Sequence, residues 1–130
     1  MVTERRKKVL IVDDESSMVS VLQRHVSNAG YEFASATNGQ EALEKIQQDQ
    51  PDLVLLDLMM PGLNGFETCR RIRENEKTKK LPVLIITALR SEADSASAAA
   101  CGANEFIIKP IDGEQLAKRI RYHLGSPFKL

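Results

Sequence analysis

Asp13 and Asp14, Asp57, Thr87 and Lys109 lie far apart in this 130-residue chain, yet each stands where a short apolar run stops. The runs are residues 9–12, 53–56, 83–86 and 106–108. If the runs are strands of one sheet, three carboxylates, a hydroxyl and an ammonium arrive together at one edge. Three carboxylates would repel, at about 4 kcal/mol per pair for a separation of ~4 Å and an effective dielectric of ~20. A dication and the lysine are the obvious compensation. Oxygen donors, few in number and leaving positions open, suit Mg2+, which keeps waters and favours phosphate. Such an ion can bridge Asp14 and Asp57 and hold a phosphoryl oxygen. Asp57 is then a candidate nucleophile that needs no general base, because an aspartate titrating near ~3.9 is already ionised at neutral pH. Lys109 would pair with the phosphoryl charge, and the Thr87 hydroxyl would donate to one of its oxygens. The chemistry these residues suit is phosphoryl transfer.

The elements that must deliver them follow from the apolar pattern. Residues 53–56 are four apolar side chains in a row, too short for a helix, and read as a strand buried on both faces. Pro61-Gly62 then breaks the backbone and holds Asp57 at the lip of the sheet. Residues 9–12, 83–86 and 106–108 read the same way, and 32–37 alternates like an outer strand. Between them, Ser16 or Ser17 is a cap for a helix with Met18, Leu22, Val26 and Ala29 inward. Asn38 caps a second helix, and Asn64 begins a third with Phe66, Cys69 and Ile72 inward. Residues 91–101, rich in Ala and Ser, predict a weakly anchored, mobile fourth helix with little apolar area to bury. A fifth, from 112 to about 124, turns Leu116, Ile120 and Leu124 inward and Lys118, Arg119 and Arg121 outward. Five strands alternating with five helices predict a parallel α/β sheet between helix layers, with ligands beyond the carboxyl ends of the strands.

Bulk composition narrows the function. The chain is one domain by length, with 42% hydrophobic and 28% charged residues. Eighteen basic residues balance eighteen acidic ones, so no overall field draws it to nucleic acid or a membrane. No apolar run approaches the roughly 20 residues that span a bilayer. A polar start with no signal-peptide pattern and two cysteines, Cys69 and Cys101, without CxxC spacing predict reduced thiols in the cytoplasm. The basic run at 5–8 reads as a solvated terminal segment, and His25 and His123 as surface or partly packed residues. Expected limits are a polar segment over 1–7, the domain over 8–124, and a tail or start of a linker over 125–130.

Four motifs stand in order: Val12-Asp13-Asp14-Glu15, Leu56-Asp57-Leu58-Met59-Met60-Pro61, Ile86-Thr87-Ala88 and Ile108-Lys109-Pro110. Each is weak alone. Together, over residues 8–124, they resemble the response-regulator receiver domain, the phosphoacceptor half of two-component signalling. The resemblance implies a flavodoxin-like fold of sheet order 2-1-3-4-5 and phosphorylation of Asp57 by a partner histidine kinase or phosphotransfer protein. It implies Mg2+, with Mn2+ as a substitute, held by Asp14, Asp57 and the Met59 backbone carbonyl, with Asp13 acting through water. It further implies a cis Lys109–Pro110 peptide and a switch made of Thr87 and Phe106. The output face would be the fourth helix, fifth strand and fifth helix, meeting a downstream effector, an output domain or a second copy of the chain. Such a domain is not an enzyme beyond promoting its own phosphorylation and slow dephosphorylation.

The resemblance also implies that the positions two beyond Asp57 and two beyond Thr87 tune dephosphorylation, and here they are Met59 and Leu89, neither able to orient a hydrolytic water. Met59 also argues against a dehalogenase-type phosphatase, whose aspartyl chemistry wants a second carboxylate at that place. A flavodoxin-like nucleotide or flavin binder would need a Gly- or Ser/Thr-rich loop after the first strand, where Asp13-Asp14-Glu15 would repel phosphate. A scaffold role predicts no Mg2+-dependent labelling by acetyl phosphate.

Overall fold

The computed structural model describes residues 5–58, 62, 64–88 and 100–129. The elements run β1 (Lys8–Val12), α1 (Ser16–Asn28), β2 (Glu32–Ala36), α2 (Gly39–Gln48), β3 (Leu53–Asp57), α3 (Gly65–Glu74), β4 (Val83–Thr87), β5 (Glu105–Ile108) and α4 (Gly113–Leu124). Here α4 is the last of the helices expected from the sequence. The fourth expected helix, over 91–101, falls almost wholly outside the described residues.

All five strands pair in parallel in the order β2-β1-β3-β4-β5. The unbroken apolar runs are explained by the two layers around them. Leu10, Val12, Val54, Leu56, Val83 and Ile85 pack on one side with Ala42 and Ile46 of α2 and Cys69 and Ile72 of α3. Val9, Ile11, Leu53, Leu55, Leu84 and Ile86 pack on the other with Leu22 and Val26 of α1 and Leu116 and Ile120 of α4. Alternate residues of β1, β3 and β4 thus enter opposite cores. The edge strand β5 departs from this pattern: Ile108 is 40% exposed, because an edge strand has a neighbour on one side only.

Local signals set the helix starts. The Asn38 and Asn64 side chains accept from the backbone N–H of Glu41 and Glu67, and Asp112 accepts from that of Glu114. In α1 neither serine caps. Glu15 holds the cap position without a side-chain cap bond, and the Ser17 hydroxyl donates to its carboxylate.

The two ends of the described chain meet. Arg6 and Phe128 form an antiparallel bridge, Lys7 N–H donates to the Pro127 carbonyl, and Lys129 N–H donates to that of Arg5. The Arg6 guanidinium lies over the Phe128 ring, and the Tyr31 hydroxyl donates to the Gly125 carbonyl. The basic run at 5–8, expected to be solvated, therefore has partners at the foot of the sheet.

Candidate functional site

Because every strand runs the same way, the carboxyl ends of β1, β3, β4 and β5 share one edge. β1 and β3 are neighbours there, and their following helices, α1 and α3, lie on opposite faces, which opens a crevice between them. Asp13 follows β1, Asp57 and Thr87 are the last residues of β3 and β4, and Lys109 follows β5. Asp13, Asp14 and Asp57 each bring a carboxylate oxygen within 4.8 Å of the others. Asp13, Asp57 and Thr87 are buried while Asp14 is exposed, so the cluster has a floor and an open side. The Lys109 ammonium is 4.0 Å from Asp57, and Lys109 N–H donates to the Thr87 carbonyl. The Lys109–Pro110 peptide is cis.

The electrostatics register the crowding. Burial pushes the Asp13 carboxyl above its ordinary value and the Glu15 N–H bonded to it pulls down; Asp57 pushes up, Lys109 pulls down and Asp14 pushes up. Among the described residues, three acids against one ammonium leave a net negative cluster of hard oxygen donors. Around an ion with ligands at about 2.1 Å, opposite oxygens sit about 4.2 Å apart, so these carboxylates need little adjustment to share a small dication. The donor set fits Mg2+.

One glycine lets a helix start directly against the end of β3. A Cβ on Gly65, the first residue of α3, would lie 2.5 Å from the Asp57 carbonyl oxygen and 2.8 Å from the Leu58 Cα. Gly65 N–H donates to the Leu58 carbonyl, so α3 begins hard against the end of β3. From the sequence Asn64 is legible as the cap; the demand on Gly65 depends on a non-local approach.

A family model for the response regulator receiver domain matches residues 9–121. The chain belongs to that family. The chain is 41% identical over 118 residues to the probable transcriptional regulator ycf27 of Guillardia theta, covering 91% of this chain and 45% of that one. To the alkaline phosphatase synthesis transcriptional regulatory protein PhoP of Bacillus subtilis it is 36% identical, covering 88% and 47%. The chain thus spans less than half the length of these relatives. Among solved structures, a putative response regulator from Chloroflexus aurantiacus superposes with a TM-score of 0.89 at 33% identity, covering 94% of this chain and all of that one. As a receiver domain it is a signalling module of two-component systems, of a kind that binds Mg2+ in an acidic cluster such as Asp13, Asp14 and Asp57 form here. Among the described residues no helix is long and apolar enough to cross a membrane.

Phe106 is half-buried and packs on the core that contains Ile85, its register partner on β4. Thr87, two residues beyond Ile85, projects to the same side of the sheet. Met59 and Leu89 lie outside the described residues.

Sequence reasoning missed the cluster behind β5 of this receiver domain. Arg119, expected to face outward, donates to Glu105 at 2.6 Å, and His123 pairs with the other oxygen of the same carboxylate. Nothing in α4 alone marks Arg119 as different from Lys118 or Arg121; only the neighbouring strand does. Burial alone would raise the Glu105 pKa, but the hydrogen bonds from Arg119 and His123 outweigh it and hold the carboxyl below its ordinary value. A carboxyl lowered on folding contributes stability above its unfolded pKa, and that contribution is lost as pH falls through the folded value. Glu105→Gln is expected to cost about 1 kcal/mol at neutral pH, small because the cluster borders solvent. Urea midpoints of variant and wild type should converge as pH drops below ~4, and a gap that stays constant with pH would disprove the assignment.

Proposed function

We propose that this receiver domain accepts a phosphoryl group on Asp57 and passes the event to a partner as a change of surface. The observation that carries the reading is the meeting of Lys109, 4.0 Å from Asp57, with three carboxylates within 4.8 Å of one another. An Asp57 oxygen attacks the phosphorus, an O–P bond forms, and the bond from phosphorus to the donor's nitrogen or oxygen breaks, with the electron pair leaving on the donor. The donor is a phosphohistidine of a sensor kinase or phosphotransfer protein. Asp13, Asp14, Asp57 and the Met59 carbonyl would hold Mg2+ or Mn2+, which when bound supplies positive charge against the transferred group. Lys109 and the Thr87 hydroxyl serve the phosphoryl oxygens, the first by charge and the second by donating a proton in a hydrogen bond.

Thr87 drawn toward the phosphoryl group frees space on the side of the sheet that Phe106 shares. The ring then shifts population between two placements, which alters the face built from residues 91–101, β5 and α4. That face would meet an effector, an attached output domain or a second copy of the chain, in the cytoplasm; nucleic acid and membrane play no direct part. That the curated relatives bear names of transcriptional regulators and are about twice as long supports an attached output domain.

Incubation with acetyl phosphate and Mg2+, followed by intact-mass and peptide mapping, tests the reading. One phosphoryl group at Asp57, lost when a chelator is present, is expected; no uptake, or uptake elsewhere, would refute it. A long phosphoryl lifetime is expected as well, since Met59 and Leu89 offer no polar group to a hydrolytic water. Met59→Asn or Leu89→Glu should shorten the half-life, and equal half-lives would reject that part.

A further inference from the structure

Arg73, near the end of α3, contacts more segments than a surface arginine needs. Its Nε donates to the Gly102 carbonyl at 2.8 Å, one Nη to the Leu81 carbonyl at 2.6 Å, and the other to the Asn104 side-chain oxygen at 2.8 Å. These acceptors sit immediately before β4 and β5. Asn104 ties the two strands further, because the same oxygen accepts from Val83 N–H at 2.8 Å while Asn104 N–H donates to the Val83 carbonyl. Gly102 has φ +92°, and a Cβ there would fall 2.8 Å from the Arg73 Cγ, so that turn is shaped around this side chain. One turn earlier on α3, the Cys69 thiol reaches the Cys101 carbonyl at 3.4 Å.

At its other end α3 abuts Asp57 through Gly65. A helix of ten residues, about 15 Å long, thus runs from the nucleophile to the feet of the two strands whose far ends carry Thr87 and Lys109. We propose that Arg73 is a positioning residue of the switch, fixing the feet of β4 and β5 so that events at Thr87 reposition Phe106 instead of being taken up by slippage between the strands. The inference rests on the phosphoacceptor reading above. With the feet of two paired strands pinned, relative movement is left to the end beside the pocket, where the Lys109 N–H bond to the Thr87 carbonyl closes the ladder. A response that remains discrete requires such a fixed reference, because coupling is carried by elements with two defined arrangements.

The test uses the chain labelled with fluorophenylalanine, whose four phenylalanines give resolvable 19F signals, with Phe106 assigned by Phe106→Leu. In wild type, acetyl phosphate with Mg2+ should move the Phe106 signal. In Arg73→Ala, uptake at Asp57 should keep its wild-type rate, whereas the phosphorylation-driven population shift of Phe106 should fall by about two- to thirty-fold, the range over which residues outside both sites modulate coupling. Arg73→Lys keeps the charge but loses the fork that reaches all three acceptors and should behave like Arg73→Ala. Asn104→Ala, which removes the shared acceptor, should do the same. If Arg73→Ala fails to fold, the latter two decide. A purely structural bolt would lower melting temperature in all three variants and leave the Phe106 response intact, and that result overturns the proposal while leaving the phosphoacceptor reading standing. A wild-type Phe106 signal that ignores phosphorylation overturns it too, and absence of uptake in wild type overturns both.

Discussion

Asp57→Asn should abolish phosphoryl uptake and, in the absence of divalent cation, make the fold more stable. Asparagine keeps the shape of the side chain but offers no anionic nucleophile, so labelling by acetyl phosphate should fall to background. The stability gain follows from the charge arrangement. Asp57 has two like-charged neighbours within 4.8 Å and an ammonium at 4.0 Å, and the two acids oppose its ionised form. One such repulsion at this separation is worth about 3–4 kcal/mol at an effective dielectric of ~20, and the exposure of Asp14 reduces that to about 1 kcal/mol. Adding Mg2+ should reverse the order, because an ion that binds only the folded wild-type pocket stabilises it by mass action. Urea midpoints with and without Mg2+, paired with intact mass, read both effects. A variant that is labelled at the wild-type rate, or one whose midpoint responds to Mg2+ as wild type does, would count against the pocket.

Gly65→Ala should be the most damaging single-methyl change near the site. The two atoms nearest the added Cβ are backbone, the Asp57 carbonyl oxygen at 2.5 Å and the Leu58 Cα at 2.8 Å. No flexible side-chain tip is available to yield, so either α3 retreats or the end of β3 tilts. Overpacking of this kind costs about 1–3 kcal/mol, a fall in melting temperature of roughly 4–12 °C for a domain of this size. Function should suffer out of proportion, because the atom that must move belongs to Asp57 itself, and reacting groups tolerate little displacement. Gly62→Ala is the control: a Cβ there meets nothing within 4 Å, and any cost comes from its positive φ alone. Equal phosphorylation rates in Gly65→Ala and wild type would show that the helix start and the nucleophile are mechanically independent.

The sheet and its polar edge were legible because both are written in local pattern. Runs such as Val9-Leu10-Ile11-Val12 are apolar without alternation, which only a strand covered on both faces requires, and the residue ending each run needs no more than its position to be assigned to the edge. The asparagine and aspartate caps at 38, 64 and 112 are equally local. What escaped was whatever depends on a meeting between elements. Arg119, still partly exposed, reaches across to Glu105 on the neighbouring strand, yet in α4 that residue belongs to a run of similar charges. Arg73 looks like one more cation on the polar face of α3 until the turns before β4 and β5 are brought to it. The burial of β5 was overestimated because hydrophobicity does not say which strand is last in the sheet.

The seam between residues 5–7 and 127–129 has a bearing on how a receiver of this form can be wired. It sits at the entry side of the strands, where the Lys129 ammonium also reaches Asp52 ahead of β3, a full strand length of about 17 Å from the acid pocket. Polypeptide joined at either side of the seam would set out from the pole opposite the acid pocket and reach that pocket only by doubling back along a flank. If Asp57 is the phosphoacceptor proposed above, information would leave this molecule laterally, across its sides, and a covalent connection would act as a tether rather than a conductor.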